Sequence, residues 1–133
     1  MPIRDHAPSR ILVVDDDPAL LKMMSTYLVR LGIDVTTAGT TEQAWSEMQA
    51  APSSFAGAVL DATMPGVSLE DLALRILRAN PSARVIAASG YAVDMSAIEA
   101  AAPGRVMFLH KPFAPEMLAG AIRRILAAQE EKL

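Results

Sequence analysis

Five short apolar runs, each followed by a stretch of helical periodicity, constrain this chain more than any other feature. The runs are "RILVV" (10–14), "DVTTA" (34–38), "GAVLD" (57–61), "RVIAA" (84–88) and "RVMFL" (105–109). Four are mostly apolar without alternation, as expected of strands covered on both faces. "DVTTA" alternates and reads as an edge or half-buried strand. Strands separated by helices need crossovers, so neighbouring strands run parallel and the crossovers are right-handed. The expected fold class is α/β, a five-stranded parallel doubly wound sheet between two helical layers, (βα)5.

The helices show in spacing and punctuation. In the first, Leu20, Leu21, Met24, Leu28 and Leu31 recur at three- and four-residue intervals, and Gly32 follows as a stop. Thr40 with Gln43, and Ser68 with Asp71, have capping-box spacing at the starts of the second and third. Ala44 and Met48 continue one face of the second helix, and Asn80-Pro81 ends the third. The fourth, roughly 93–102, is alanine-rich and stops at Pro103-Gly104. The fifth carries Met117, Leu118, Ile122, Ile125 and Leu126 on one stripe. One domain is expected over residues 1–133, with a core of about 10–128 and frayed ends at 1–9 and 128–133.

Apolar residues make up 52% of the chain and charged residues 20%, a globular composition. The net charge of −3 argues against nucleic acid as the main partner, because a phosphate backbone demands a basic face. The lack of cysteine excludes disulfides, thiolate catalysis and Cys-ligated metals. The opening "MPIRDHAPSR" has no apolar signal segment, and no apolar run approaches the ~20 residues of a membrane span. A soluble, cytoplasmic domain without membrane insertion is expected.

In a doubly wound sheet the loops after the strands gather at one edge, where sites form. That edge receives Asp15, Asp16 and Asp17 after the first strand, Asp61 after the third, Ser89 after the fourth and Lys111 after the fifth. Two carboxylates about 4 Å apart repel by roughly 4 kcal/mol at an effective dielectric near 20. Lys111 supplies one counter-charge, and the remainder requires a cation. Ligands that are all oxygens suit Mg2+, Mn2+ or Ca2+. A cation with open positions, a lysine and a hydroxyl together suit phosphoryl transfer, where the protein positions groups and neutralises charge. Asp61 stands alone at the end of an apolar strand and is the candidate nucleophile, since a carboxylate can attack phosphorus to give an aspartyl phosphate. Asp15 and Asp16 are the candidate metal ligands. Asp17 precedes Pro18 and reads as an N-cap followed by an N1 proline. Ser89 precedes Gly90, so a plain turn is its alternative reading. His110 reads as a loop residue, and Trp45 and the methionines as packing.

Four stretches, "LVVDDDP", "LDATMPG", "AASGYA" and "FLHKPF", stand in the order and spacing of the receiver domain of two-component response regulators. From about Arg10 to Ala128 the chain resembles that family. The resemblance implies a flavodoxin-like fold and a phosphorylation switch rather than an enzyme. It makes Asp61 the phospho-acceptor. It gives Mg2+ a direct contact with Asp16, a water-mediated one with Asp15, and the backbone carbonyl of Thr63. It has Ser89 bond the phosphoryl oxygen, Lys111 pair with the phosphoryl group, and Phe108 act as the aromatic switch that moves inward with Ser89. As a residue of an apolar strand, Phe108 is otherwise expected in the core. A cis bond before Pro112 is also implied. The implied phosphoryl donor is a sensor histidine kinase or a phosphotransfer protein. The implied output is a contact with a downstream protein through the fourth helix, fifth strand and fifth helix.

The chain departs from the family pattern at Leu69, where receivers commonly have glycine. The loop before the third helix is therefore expected to take a different path, because leucine resists positive φ. Phe108 also lacks the hydroxyl often found at its position. A haloacid-dehalogenase-like phosphatase is a second reading, since Asp15 and Asp17 form Asp-x-Asp, but no aspartate follows Lys111 to complete its metal set. A receiver-like binding module that is never phosphorylated is a third, and the intact set of site residues weighs against it. A dinucleotide site is disfavoured because "DDDPAL" has no glycine-rich turn. The chain is expected to be either a stand-alone regulator or a receiver excised from a larger protein.

Overall fold

The computed structural model describes residues 8–131. Strands and helices alternate: β1 (Arg10–Val14), α1 (Pro18–Arg30), β2 (Asp34–Ala38), α2 (Thr41–Ala50), β3 (Phe55–Asp61), α3 (Leu69–Ala79), β4 (Arg84–Ser89), α4 (Ser96–Ala101), β5 (Val106–His110) and α5 (Pro115–Glu131). A 3-10 turn at Pro52–Ser54 leads into β3. All strand pairs are parallel, in the order β2-β1-β3-β4-β5. The expected three-layer (βα)5 fold is formed.

The pleat divides the core. Ile11 and Val13 of β1 pack toward Met24 and Leu28 of α1 and Ile122 and Ile125 of α5. Leu12 and Val14 point the other way, toward Met48 of α2, Ile76 of α3 and Ile98 of α4. Each fully buried Leu or Ile contributes about 1.5–3 kcal/mol of transfer free energy. Among the described residues no helix is long and apolar enough to cross a membrane.

The helix ends follow the punctuation. Gly32, at φ 83°, closes α1: its N–H donates to Val29 O, and the N–H of Ile33 donates to Leu28 O. Thr40 Oγ1 accepts the N–H of Gln43, 3.0 Å away. Gln43 Oε1 reaches past the N-cap to the N–H of Gly39 at 3.0 Å, so the reciprocal bond falls one residue earlier than in a capping box. Ser68 Oγ accepts from the N–H of Asp71.

Four expectations need correction. β5 is not covered on both faces. It is an edge strand, its only buried residue is Leu109, and Phe108 is 40% exposed rather than in the core. The pleat turns Phe108 toward the face of α4, which is only six residues long and leaves it uncovered. Met117, placed on the buried stripe of α5, is 56% exposed. α4 starts at Ser96, because Asp94 Oδ1 accepts from both the N–H and the hydroxyl of Ser96 and holds that segment as a turn. Finally, α5 runs to Glu131 rather than fraying from 128. Buried Gln129 anchors it, its Nε2 donating to the carbonyls of Ala56 and Ser82. The fraying expected at 1–7 and 132–133 lies outside the described residues.

Candidate functional site

β1 and β3 are neighbours, with Val14 level with Leu60. The next residue of each, Asp15 and Asp61, therefore emerges side by side at the carboxyl edge. Asp15 is only 3% exposed. Its N–H continues the ladder to Ala38 O, its Oδ1 accepts the N–H of Asp17 at 2.9 Å, and its Oδ2 accepts from Lys111 Nζ at 2.9 Å. Asp61 is also buried. Its Oδ1 accepts from the N–H and the hydroxyl of Thr63, at 3.1 and 3.0 Å, and lies 3.5 Å from Lys111 Nζ.

Asp16 follows Asp15 and is exposed. One carboxylate oxygen each from Asp15, Asp16 and Asp61 falls within a cluster no wider than 4.8 Å. Asp17 does something else. Its Oδ1 accepts from the N–H groups of Ala19 and Leu20, with Pro18 opening the helix, so it is the N-cap of α1. That commitment removes the second aspartate of the phosphatase-like Asp-x-Asp pattern from the cluster.

Lys111 arrives from β5, two strands from β3 and three from β1. Its backbone N–H donates to Ser89 O at 2.7 Å, the Lys111-Pro112 bond is cis, and its side chain crosses to the two buried carboxylates. Partial burial pulls its pKa down. The hydrogen bond and charge of Asp15, with a smaller contribution from Asp61, more than offset this and raise it above 10.5. Among the described residues, three carboxylates thus face one ammonium, a negative surplus built wholly from oxygen ligands. That donor set fits a hard divalent cation.

Ser89 ends β4 one residue beyond Ala88, the register partner of Asp61, and is fully buried. Its Oγ accepts the N–H of Tyr91 at 3.2 Å, so the turn reading is realised as well. Phe108 stands apart from the cluster, edge-on to His110 with ring centroids 6.4 Å apart. Leu69 requires no left-handed backbone. It is the first residue of α3, and the preceding loop turns instead at Gly66, at φ 98°.

The model of the response regulator receiver domain matches residues 11–123. The chain belongs to this family. A DNA-binding transcriptional regulator NtrC of Rhizobium meliloti is 34% identical over 92% of this receiver, which spans 25% of that relative. The DNA-binding response regulator MtrA of Mycolicibacterium smegmatis is 28% identical over 96% of this receiver and 55% of its own length. The chain therefore spans a quarter to about half of these curated relatives. A receiver domain protein from Clostridium thermocellum superposes with a TM-score of 0.83 at 26% identity, covering 94% of this chain and 99% of the other. A CheY-like receiver from Methanospirillum hungatei gives 0.83 at 27%, covering 94% and 98%. This places the chain among the response regulator receiver domains of two-component systems.

Sequence reading missed the support around the site. Thr41 Oγ1 accepts the N–H of Val67 at 3.2 Å, tying the loop after β3 to the start of α2. Arg105 donates to the carbonyls of Leu77, Asn80 and Ala83, and so closes the opposite end of the sheet. Nothing in local spacing announces bonds that join such distant segments. Gly66 was the one available signal, since a glycine directly after Pro65 marks a turn.

Proposed function

We propose that this receiver is a phosphorylation-dependent signalling switch whose phospho-acceptor is Asp61. The observation that carries this reading is the packing of three carboxylates within 4.8 Å, with Lys111 touching the two buried ones. A carboxylate oxygen of Asp61 attacks the phosphorus of a phosphohistidine on a sensor histidine kinase or a phosphotransfer protein. The O–P bond forms, the P–N bond breaks, and the imidazole nitrogen leaves with the electron pair. Asp15, Asp16 and Asp61, with the backbone carbonyl of Thr63, would hold Mg2+, which when bound neutralises charge on the phosphoryl oxygens. Lys111 pairs with the transferred group, and Ser89 gives up its turn contact to bond a phosphoryl oxygen.

The output is a shift between two pre-existing arrangements. Phe108 moves inward as Ser89 turns toward the phosphoryl group. This remodels the α4–β5–α5 face, where Phe108 and Met117 are now exposed, for a downstream protein in the cytoplasm.

The test is intact mass after incubation with a small phosphodonor and Mg2+. The switch predicts one added phosphoryl group, absent in Asp61→Asn and absent without the cation. Donor turnover that depends on Asp15 and leaves no adduct would instead support a phosphatase. No labelling by a donor or by any kinase would support a passive binding module.

A further inference from the structure

The turn between β2 and α2 touches both halves of the acidic site. On one side Ala38 O accepts the backbone N–H of Asp15. On the other, Thr41 Oγ1 accepts the N–H of Val67, in the loop that starts at Asp61. Thr41 is buried, 2% exposed, and its hydroxyl also meets Glu42 Oε2. Gly66 lies flat against it: a Cβ there would stand 2.5 Å from Thr41 Oγ1. Glycine at φ 98° thus answers two demands, a left-handed turn and close approach to the threonine. Three fixings define this loop. The N–H of Ala62 bonds Ala88 O at one end, Ser68 caps α3 at the other, and Thr41 holds Val67 just before that cap. Between them lies Thr63, both of whose donors meet Asp61.

We propose that Thr41 is a positioning residue for the cation and phosphoryl site, acting through the loop that carries Thr63. It touches none of the reacting atoms. Its hydroxyl fixes where Val67 sits, and therefore where the short segment back to Thr63 and Asp61 runs. Without that bond the loop samples other paths, and the Thr63 contacts to Asp61 are made only part of the time. The inference rests on the proposed function, because it assigns regulation of geometry at that same site.

The test compares Thr41→Val, which keeps the shape and removes the hydroxyl, with Thr41→Ser, which keeps the hydroxyl. A third variant, Ile122→Val, trims the core on the opposite face of the sheet and controls for stability alone. Calorimetry measures Mg2+ binding to the unphosphorylated protein. Amide hydrogen exchange reads the Val67 N–H directly. Thr41→Val is expected to weaken Mg2+ binding by about three- to tenfold, less than the roughly 10–100-fold lost when a ligand's own hydrogen-bond partner is removed. It should also speed exchange at Val67. Thr41→Ser should behave as wild type. Unchanged Mg2+ affinity in Thr41→Val, equal losses in the valine and serine variants, or an equal loss in Ile122→Val would each overturn the proposal. A wild type that takes up no phosphoryl group would overturn the proposed function, and this inference with it.

Discussion

Lys111 Nζ lies 2.9 Å from Asp15 Oδ2, joining residues ninety-six apart in the chain. Asp15 is 3% exposed, so its carboxylate depends on this partner more than a surface carboxylate would. Removing one member of a buried ion pair costs about 3–5 kcal/mol, whereas exposed pairs are worth about 0–1. The ammonium is partly solvated, so the cost here falls between those limits. Lys111→Met is therefore expected to lower unfolding free energy by about 1–2 kcal/mol in metal-free buffer. Saturating Mg2+ should recover part of the loss, because it binds the folded carboxylates and not the unfolded chain. Denaturant titrations with and without Mg2+ check both numbers.

The same pair predicts a pH effect. The folded pKa of Lys111 is raised above its ordinary value of 10.5 by Asp15 and Asp61, despite the opposing effect of burial. The folded state therefore holds the proton more tightly than the unfolded state. The stabilisation is fully present below pH 10.5 and fades as pH rises through the folded value. Melting temperatures of wild type and Lys111→Met should differ most at neutral pH and converge in strong alkali. A gap that widens with alkali would contradict the assignment.

Asp16 and Asp17 are adjacent in sequence and opposite in role. Asp17→Ala deletes an N-cap and should cost about 1 kcal/mol of stability while leaving Mg2+ affinity nearly unchanged. Asp16→Asn should leave stability level or slightly improved, since it relieves repulsion among the carboxylates. It should weaken Mg2+ binding by roughly tenfold or more, as expected for loss of a charged oxygen ligand. Thermal melts and calorimetry on the two variants give the comparison, and equal effects on Mg2+ would refute this division.

Asn80 holds the far end of the sheet. Its Nδ2 donates to the carbonyls of Pro52 and Phe55, and its Oδ1 accepts the N–H of Ser82 at 3.0 Å. Asn80→Ala would remove three hydrogen bonds, one of them to the carbonyl of buried Phe55, and should cost about 2–3 kcal/mol. Because Asn80 lies at the edge opposite the aspartates, Mg2+ affinity should not change. A chemical-denaturation midpoint equal to wild type would show these bonds to be worth far less.

The fold was readable because it rests on local signals. β1 and β2 have the bounds read from the apolar runs, Thr40, Ser68 and Asp17 start helices through their side chains, and Gly32 ends α1 through its positive φ. Asp15, Asp16, Asp61 and Lys111 could be grouped because a parallel sheet sends every strand's carboxyl end to one edge. What stayed illegible depends on position within the sheet or on distant partners. The apolar run at β5 looks like a central strand, and only the strand order makes it an edge with Phe108 outside. Arg105 reads as a strand residue until Leu77, Asn80 and Ala83 turn out to present carbonyls to it. Gln129 sits in a polar-looking tail, and its role depends on carbonyls of Ala56 and Ser82 that no spacing rule reveals.

The most direct measurement of the central claim locates the phosphoryl group. Protein labelled by a small phosphodonor in Mg2+ is reduced with borohydride, which converts an aspartyl phosphate to homoserine, and is then sequenced by tandem mass spectrometry. The account predicts homoserine at position 61 and aspartate at 15, 16 and 17. Homoserine at position 15, or labelled protein with aspartate intact at 61, would contradict it.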